Sequence, residues 1–228
     1  LTMTDFNEAI DKVTLGLENK SMLMTRQDVY ETAVHEAGHT TAIWLLEHAA
    51  PLVKISIVPR GKALGVNMTM PEERVGYTKQ AFLDEICSFM GGRAAEELFL
   101  GTIGTGALND MQQATRIARS MVMYYGMSEK MPNISYYDPQ GQLGQRPYSD
   151  ERARLIDEET SRIVNEQYDR AKKLISEHAE QHHKVVDALM EKEVIFAADV
   201  EAIFGKRPWK SRTEQLMEVA EARRKSQQ

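Results

Sequence analysis

Two histidines flank a glutamate in the segment His35-Glu36-Ala37-Gly38-His39. If this segment is helical, residues four apart lie one above the other on one face, so both imidazoles can reach one tetrahedral metal ion. Zinc in such a site lowers the pKa of a bound water to about 7, and the neighbouring carboxylate can take that water's proton as it attacks a peptide carbonyl. The pattern H-E-x-x-H therefore predicts a metal-dependent peptidase, with the glycine keeping bulk away from the site.

The residues ahead of this segment predict the helix that it needs. Thr25 stands at an N-cap position, and Asp28 follows three residues later to complete a capping box. Apolar side chains then recur every three or four residues, until Pro51 marks a point where the chain has left the helix. We predict a helix over 26–48.

A third metal ligand is needed, because a catalytic zinc site usually has three protein ligands and one open position. The continuation H-x-x-G-x-x-H of the metzincins is absent, since Ala42 and Leu45 stand where it requires a glycine and a histidine. Acidic side chains elsewhere in the chain are the candidates: Asp84, Glu85, Glu96, Glu97 and Asp110. Each is also typical of a solvated carboxylate, and spacing alone does not choose among them.

The remaining hydrophobic pattern predicts a mainly helical fold with one small sheet. The segment LVKISIV alternates apolar and polar residues and is followed by a turn and a second extended run, which predicts antiparallel strands beside the H-E-x-x-H helix. Two helical runs, about 78–100 and 109–125, flank the glycine-rich loop GTIGTG. Ser149 begins a helix that extends to about 180 and turns back into a second helical run, forming a C-terminal helical hairpin.

Composition excludes several classes of function. The chain has 228 residues, of which 42% are hydrophobic, and this is sufficient for a core. Its formal net charge of -6 argues against a broad nucleic-acid interface. No apolar run approaches the ~18 residues of a membrane-spanning helix. The single cysteine, Cys87, cannot form an internal disulfide and is expected to be a buried, reduced thiol.

Six segments resemble one protein family in their residues and their order: VHEAGHT, ISIVPRGKALG, MGGRAAEELFLG, TGALNDMQQATRIARSMV, YYGMSEK and YSDERARLIDEE. Over roughly residues 5–200 the chain resembles the peptidase domain of the FtsH family of membrane-anchored, ATP-dependent zinc metalloproteases. The resemblance implies that a zinc ion is held by His35, His39 and Asp110. It also implies that Glu36 is the catalytic base.

The resemblance further implies how the chain is divided. Residues 1–24 are expected to be a linker from an ATPase module, 25–205 the zinc metalloprotease domain, and 206–228 a charged C-terminal tail. Within the protease domain the zinc site is expected in 25–130 and a helical part in 149–205. The pattern G-x-x-x-x-G-K-[ST] does not occur in the sequence, so ATP is expected to act only through a module absent from this chain.

The partners that the resemblance implies are unfolded or misfolded polypeptides as substrates and further copies of the chain in a homo-hexamer. The expected location is the bacterial inner membrane, with this part on the cytoplasmic side and attached only through N-terminal segments missing from the sequence. No nucleic-acid partner is expected. An extended substrate is expected to pair with an edge of the small sheet, for which residues 64–70 are the candidate.

Two other interpretations remain open at this point. A non-catalytic assembly module would use the metal only structurally, and a chaperone-like module would bind unfolded segments independently of zinc. Glu36 weighs against the structural site, because such a site needs no base and normally has four protein ligands. The adjacent His182 and His183 are not expected to form a second site, since neighbouring residues point away from each other on a helix.

Overall fold

The computed structural model describes residues 12–13, 17–19, 22–61, 63–72, 74, 76–137 and 147–226. Within these ranges the α-helices are α1 (Arg26–Leu45), α2 (Lys79–Ala95), α3 (Leu108–Met123), α4 (Asp150–Glu177), α5 (Ala179–Lys192), α6 (Ala197–Phe204) and α7 (Arg212–Ser226). A π-helical turn (Glu96–Leu100) continues α2. The strands are β1 (Leu52–Ser56), β2 (Val66–Thr69) and β3 (Val194–Phe196). The predicted linker, 1–24, lies largely outside the described residues.

The three strands form one antiparallel sheet in the order β2-β1-β3, which lies against α1. The central strand places Ile55 opposite Asn67 on β2 and opposite Ile195 on β3. A mainly α fold with a small antiparallel sheet beside the H-E-x-x-H helix is therefore confirmed. The sequence pattern did not predict β3, because three residues between two helices are too few to show alternation.

Helix α1 begins as its capping box predicts. The Thr25 hydroxyl accepts a hydrogen bond from the Asp28 backbone N–H at 3.1 Å, and the Asp28 carboxylate accepts one from the Thr25 backbone N–H at 2.7 Å. The helix ends at Leu45, three residues earlier than predicted. The early end has a conformational cause: the backbone of Leu46 is already extended, which turns the chain towards β1.

Residues after α6 hold the C-terminal end of α1. The Arg207 guanidinium donates hydrogen bonds to the carbonyl groups of Leu46 (3.1 Å) and Ala49 (2.6 Å), and the Trp209 indole donates one to that of Leu45 (3.0 Å). These contacts satisfy carbonyl groups that a helix end leaves without partners. They also place a positive charge at the negative end of the helix dipole, where α1 has no basic residue of its own.

Helix α1 is buried from Thr32 to Trp44 apart from the half-buried His35, and glycines allow its closest contact. It packs against α2, α5 and the sheet, and a Cβ atom added to Gly38 would stand 2.3 Å from the Gly91 carbonyl oxygen on α2. The two backbones therefore meet with no side chain between them. Cys87 is buried in α2 as predicted, and burial raises the pKa of its thiol to about 12.

The two C-terminal helices, α4 and α5, meet at His178 without an intervening loop. Helix α4 packs along α2 and α3, whereas α5 packs against α1. At this second contact the fully buried His182 imidazole donates Nε2–H to the Val34 carbonyl at 3.2 Å, while its Nδ1 atom has no partner. Burial lowers the pKa of His182 to about 4, so the ring is neutral at pH 7.

The predicted charged tail contains helix α7, in which residues 213–224 are exposed. Among the helices in the described ranges, none combines the length and the apolar character needed to cross a lipid bilayer.

Replacing Gly38 with alanine tests the contact between α1 and α2. The new methyl group would meet the Gly91 backbone and the Ala95 side chain, and overpacking of this kind costs about 1–3 kcal/mol or more, against a helix-propensity gain of about 1 kcal/mol. We expect urea denaturation to give a lower free energy of unfolding. Gly106→Ala is the matched control, because nothing lies within 4 Å of a Cβ atom at that position. Equal stability of the two variants would contradict this description of the contact.

The buried His182 should make the protein sensitive to acid. A histidine whose pKa falls from 6.5 to about 4 on folding contributes stability above pH 6.5 that is lost as the pH falls through 4. At about 1.4 kcal/mol per pKa unit, this loss amounts to at most about 3 kcal/mol. We expect unfolding measured between pH 7 and 4 to show a weaker pH dependence for His182→Gln, in which the amide can still donate to Val34. His183→Gln, at the exposed neighbour, should keep the dependence of the unsubstituted chain.

Candidate metal centre

Three side chains from two helices converge at one point: His35 and His39 from the middle of α1, and Asp110 from the first turn of α3. The two histidine Nε2 atoms are 3.0 Å apart, and Asp110 Oδ2 lies 3.5 Å from the first and 3.6 Å from the second. Zinc bonds of about 2.0–2.1 Å in a tetrahedron separate the ligand atoms by about 3.3 Å. The triangle of donor atoms therefore has the size that tetrahedral zinc requires. Among the described residues, no other group of histidine, cysteine and acidic side chains is arranged in this way.

Hydrogen bonds on the far side of each imidazole set its tautomer. His39 Nδ1 lies 2.8 Å from the Ser88 carbonyl oxygen, which can only accept, so Nδ1 carries the proton. His35 Nδ1 donates in the same way to Glu96 Oε1 at 2.7 Å. Both Nε2 atoms then present lone pairs to each other at 3.0 Å, and only a shared proton or a cation between them relieves the repulsion. This donor set fits a metal ion.

The surrounding carboxylates give the cluster an excess of negative charge. Burial lowers the pKa of His35, but hydrogen bonds with Asp110 and Glu96 outweigh it and raise the pKa to about 10. Burial likewise raises the pKa of Asp110, yet hydrogen bonds with His35 and His39 hold it well below its usual range. The site therefore stabilises positive charge between its side chains, which is the electrostatic condition for binding a cation.

The chain around the cluster makes room for the two imidazoles. A Cβ atom on Gly92 would stand 2.5 Å from His35 Nε2 and 2.6 Å from His39 Nε2, so any side chain there would fill the space between the donor atoms. The π-helical turn begins at Glu96, and the second carboxylate oxygen of this residue accepts a hydrogen bond from Gly104 N at 2.8 Å. Glu96 thus joins the loop ahead of α3 to His35.

Glu36, the predicted catalytic base, is buried beside the two histidines, with 6% of its surface exposed. Asn67 on β2 donates hydrogen bonds from Nδ2 to Glu36 Oε2 at 2.7 Å and to the Glu36 carbonyl at 3.0 Å. Burial raises the pKa of Glu36, and the charges of His39 and His35 together with the Asn67 hydrogen bond oppose the rise. A carboxylate with a raised pKa is suited to exchanging a proton near neutral pH.

The other acidic candidates from the sequence have different positions. Asp84 accepts a hydrogen bond from His48 N at 3.1 Å and pairs with Arg170 at 2.8 Å, so it joins α2 to α4. Glu97 pairs with Lys172 on α4 at 2.7 Å. Glu85 is not a member of the metal-binding group.

Glu96 is one of the five acidic candidates for the third metal ligand. In the structure it instead bonds the outer nitrogen of His35, Nδ1. Neither the Ser88 carbonyl nor Asn67 was singled out from the sequence. Every residue has a backbone carbonyl, so the sequence does not show which one accepts a hydrogen bond, and a single asparagine in a strand produces no periodic pattern.

Comparison with known protein families gives an independent result. The model of peptidase family M41 matches residues 22–203, which is most of the chain. The matched range contains both histidines, Glu36 and Asp110.

Similar proteins from several organisms agree with this match. The chain is 52% identical, over 95% of its length, to an ATP-dependent zinc metalloprotease FtsH from Parabacteroides distasonis. It is 46% identical, over 91% of its length, to a protein of the same name from Rhodothermus marinus. It is 42% identical, over 93% of its length, to the mitochondrial inner membrane m-AAA protease component AFG3L1 of Mus musculus. The matches cover 32%, 30% and 28% of these relatives, so the chain spans about a third of their length.

Replacing Glu96 with glutamine tests how far the outer hydrogen bond supports the metal site. Glutamine can still accept from His35, but it removes the negative charge that makes the ring a stronger ligand. Substituting a residue that hydrogen-bonds a metal ligand typically lowers metal affinity about 10–100-fold. We expect a drop in that range when zinc binding is measured by competition with a chelator. Glu97→Gln is the matched control on the adjacent residue, which bonds Lys172 and Tyr168 instead. Equal affinities for the two variants would contradict a supporting role for Glu96.

Proposed function

Because the chain belongs to peptidase family M41, we propose that it is a zinc-dependent endopeptidase that hydrolyses peptide bonds in unfolded or misfolded proteins. One observation carries the proposal: His35 Nε2, His39 Nε2 and Asp110 Oδ2 converge within 3.6 Å, next to a buried Glu36 on the same helix as the histidines. A three-ligand site with an adjacent carboxylate is typical of catalytic zinc. A structural zinc site normally has four protein ligands, and the described residues offer three.

The two histidines and Asp110 would hold the zinc ion. A bound zinc ion supplies Lewis-acid chemistry: it lowers the pKa of water and polarises the carbonyl group of the scissile bond. The hydrogen bonds to Glu96 and Ser88 keep the imidazoles in the tautomer that leaves Nε2 free for the metal.

Glu36 acts as the general base. Its carboxylate takes the proton of the attacking water, and the same group returns a proton to the leaving amine when the C–N bond breaks. The raised pKa of this buried side chain supports both steps, because a group that titrates closer to neutral pH both accepts and donates a proton readily.

The substrate binds as an extended strand along β2. This strand pairs with β1 on one side and lies at an edge of the sheet, so its other side faces away from the sheet. Pairing through main-chain groups tolerates many sequences and is suited to unfolded polypeptides. The proposed contact covers residues 64–70, including Met70, which is 56% exposed.

In this proposal the chain is part of a longer protein. The relatives are about three times as long and are named ATP-dependent proteases, so ATP acts through a part outside these residues. In this proposal residues 25–205 are the peptidase domain, 1–24 a linker and 206–228 a tail. The peptidase domains assemble into a homo-hexamer on the cytoplasmic side of a bacterial inner membrane, to which segments ahead of this chain attach them.

Glu36→Gln is the first test. We expect the unsubstituted chain with added zinc to cleave an unstructured fluorogenic protein, and Glu36→Gln to bind zinc equally well while its rate falls by about 10²–10⁴-fold. Asp110→Ala should lose zinc and activity together. The measurements are the initial rate of cleavage and the zinc content after dialysis.

The opposite results would identify the rival functions. If the unsubstituted chain binds zinc and does not cleave, a structural metal site in an assembly module is favoured. If the chain binds unfolded protein equally well with and without zinc and does not cleave it, a chaperone-like module is favoured.

A further inference from the structure

Asn67 connects the edge strand to the carboxylate of Glu36. The Asn67 side chain lies between β2 and α1, where Nδ2 donates to Glu36 Oε2 at 2.7 Å and to the Glu36 carbonyl at 3.0 Å. One amide thus holds both the side chain and the backbone of the same residue.

The two acceptors on Glu36 set the orientation of this amide, and Thr40 contacts its oxygen. The Thr40 hydroxyl lies 2.8 Å from Asn67 Oδ1 and 2.9 Å from the Glu36 carbonyl, and it is completely buried. A flipped amide would turn Oδ1 towards two acceptors on Glu36 and Nδ2 towards the hydroxyl. The opposite orientation therefore loses both hydrogen bonds to Glu36, so the amide has one favourable placement.

The other oxygen of Glu36 is confined by the backbone just before β2. A Cβ atom on Gly65 would stand 2.5 Å from Glu36 Oε1 and 2.8 Å from Cδ, so a glycine at this position lets the chain approach the carboxylate so closely. With Oε2 bonded to Asn67 and Oε1 lying over Gly65, the carboxylate has little freedom to rotate.

We propose that Asn67 is a positioning residue for the general base: it holds Glu36 Oε2 and leaves Oε1 to take the proton of the attacking water. This inference rests on the proposed peptidase function and on β2 as the strand that binds substrate. Because Asn67 belongs to that strand, one element aligns both the peptide and the base that acts on it. Small errors in such alignment can cost about 100-fold in rate.

The inference predicts an effect on turnover rather than on substrate binding or metal binding. We expect Asn67→Ala to lower kcat by about 10–100-fold, with KM within about 2-fold and zinc content unchanged. Asn67→Asp keeps the shape but replaces the amide donor by a carboxylate next to Glu36, so it should lose at least as much. Asn165→Ala is the matched control, because this exposed asparagine on α4 donates to Ser161 at 3.3 Å, and the variant should keep the rate of the unsubstituted chain.

A double-substitution experiment separates positioning from a general structural effect. In a Glu36→Gln background, Asn67→Ala should cause no further loss of rate, because the group that it positions is no longer a base. A loss of the same size in both backgrounds, or a fall in zinc content or in thermal stability that accounts for the lower rate, would overturn the inference.

A measurement without turnover keeps this inference distinguishable from the proposed function. The affinity of the zinc-loaded chain for a peptide hydroxamate, which binds zinc and donates a hydrogen bond to the base, is measured by calorimetry for the native chain and for Asn67→Ala. We expect about 10-fold weaker binding for the variant.

If the native chain cleaves substrate and the variant matches it in kcat and in hydroxamate affinity, positioning is wrong and the peptidase function stands. If the native chain does not cleave but the affinities differ as expected, the peptidase function is wrong, although Asn67 still orients the Glu36 carboxylate; if it neither cleaves nor binds the hydroxamate, both are wrong.

Discussion

The close approach of α1 and α2 is the constraint on which the metal centre depends. Gly38 and Gly91 bring the two backbones together, and Gly92 leaves the space that the two imidazoles fill. At this distance the Ser88 carbonyl on α2 reaches His39, and the carboxylate at the end of the same helix reaches His35. Larger side chains at the contact would move α2 outwards and separate both histidines from the groups that orient them.

The electrostatics of the site follow from the same packing. Glu36, Glu96 and Asp110 all lie around two imidazoles, and each has little contact with water. Three carboxylates around two imidazoles are unfavourable in a poorly hydrated site unless positive charge compensates them. The folded chain holds these groups in place through helix packing, and a divalent cation would compensate a large part of the repulsion.

Local signals in the sequence predicted the parts of the fold that local interactions determine. The capping box at Thr25, the helix that carries His35 and His39, and the alternation in β1 each depend on residues a few positions apart. The proposed third ligand, Asp110, lies 71 residues beyond His39; spacing left five acidic residues open, and the family resemblance was needed to select it. The π-helical turn, β3 and the bond from Asn67 to Glu36 were missed because each depends on tertiary contacts that have no period in the sequence.

The hydrogen bonds from Arg207 and Trp209 connect the C-terminal segment to the end of α1. This segment lies beyond the region matched by the family model, which stops at residue 203, and it connects directly to the exposed helix α7. The exposed C-terminal helix is thus tied, through Arg207 and Trp209, to the end of the helix that carries both histidines.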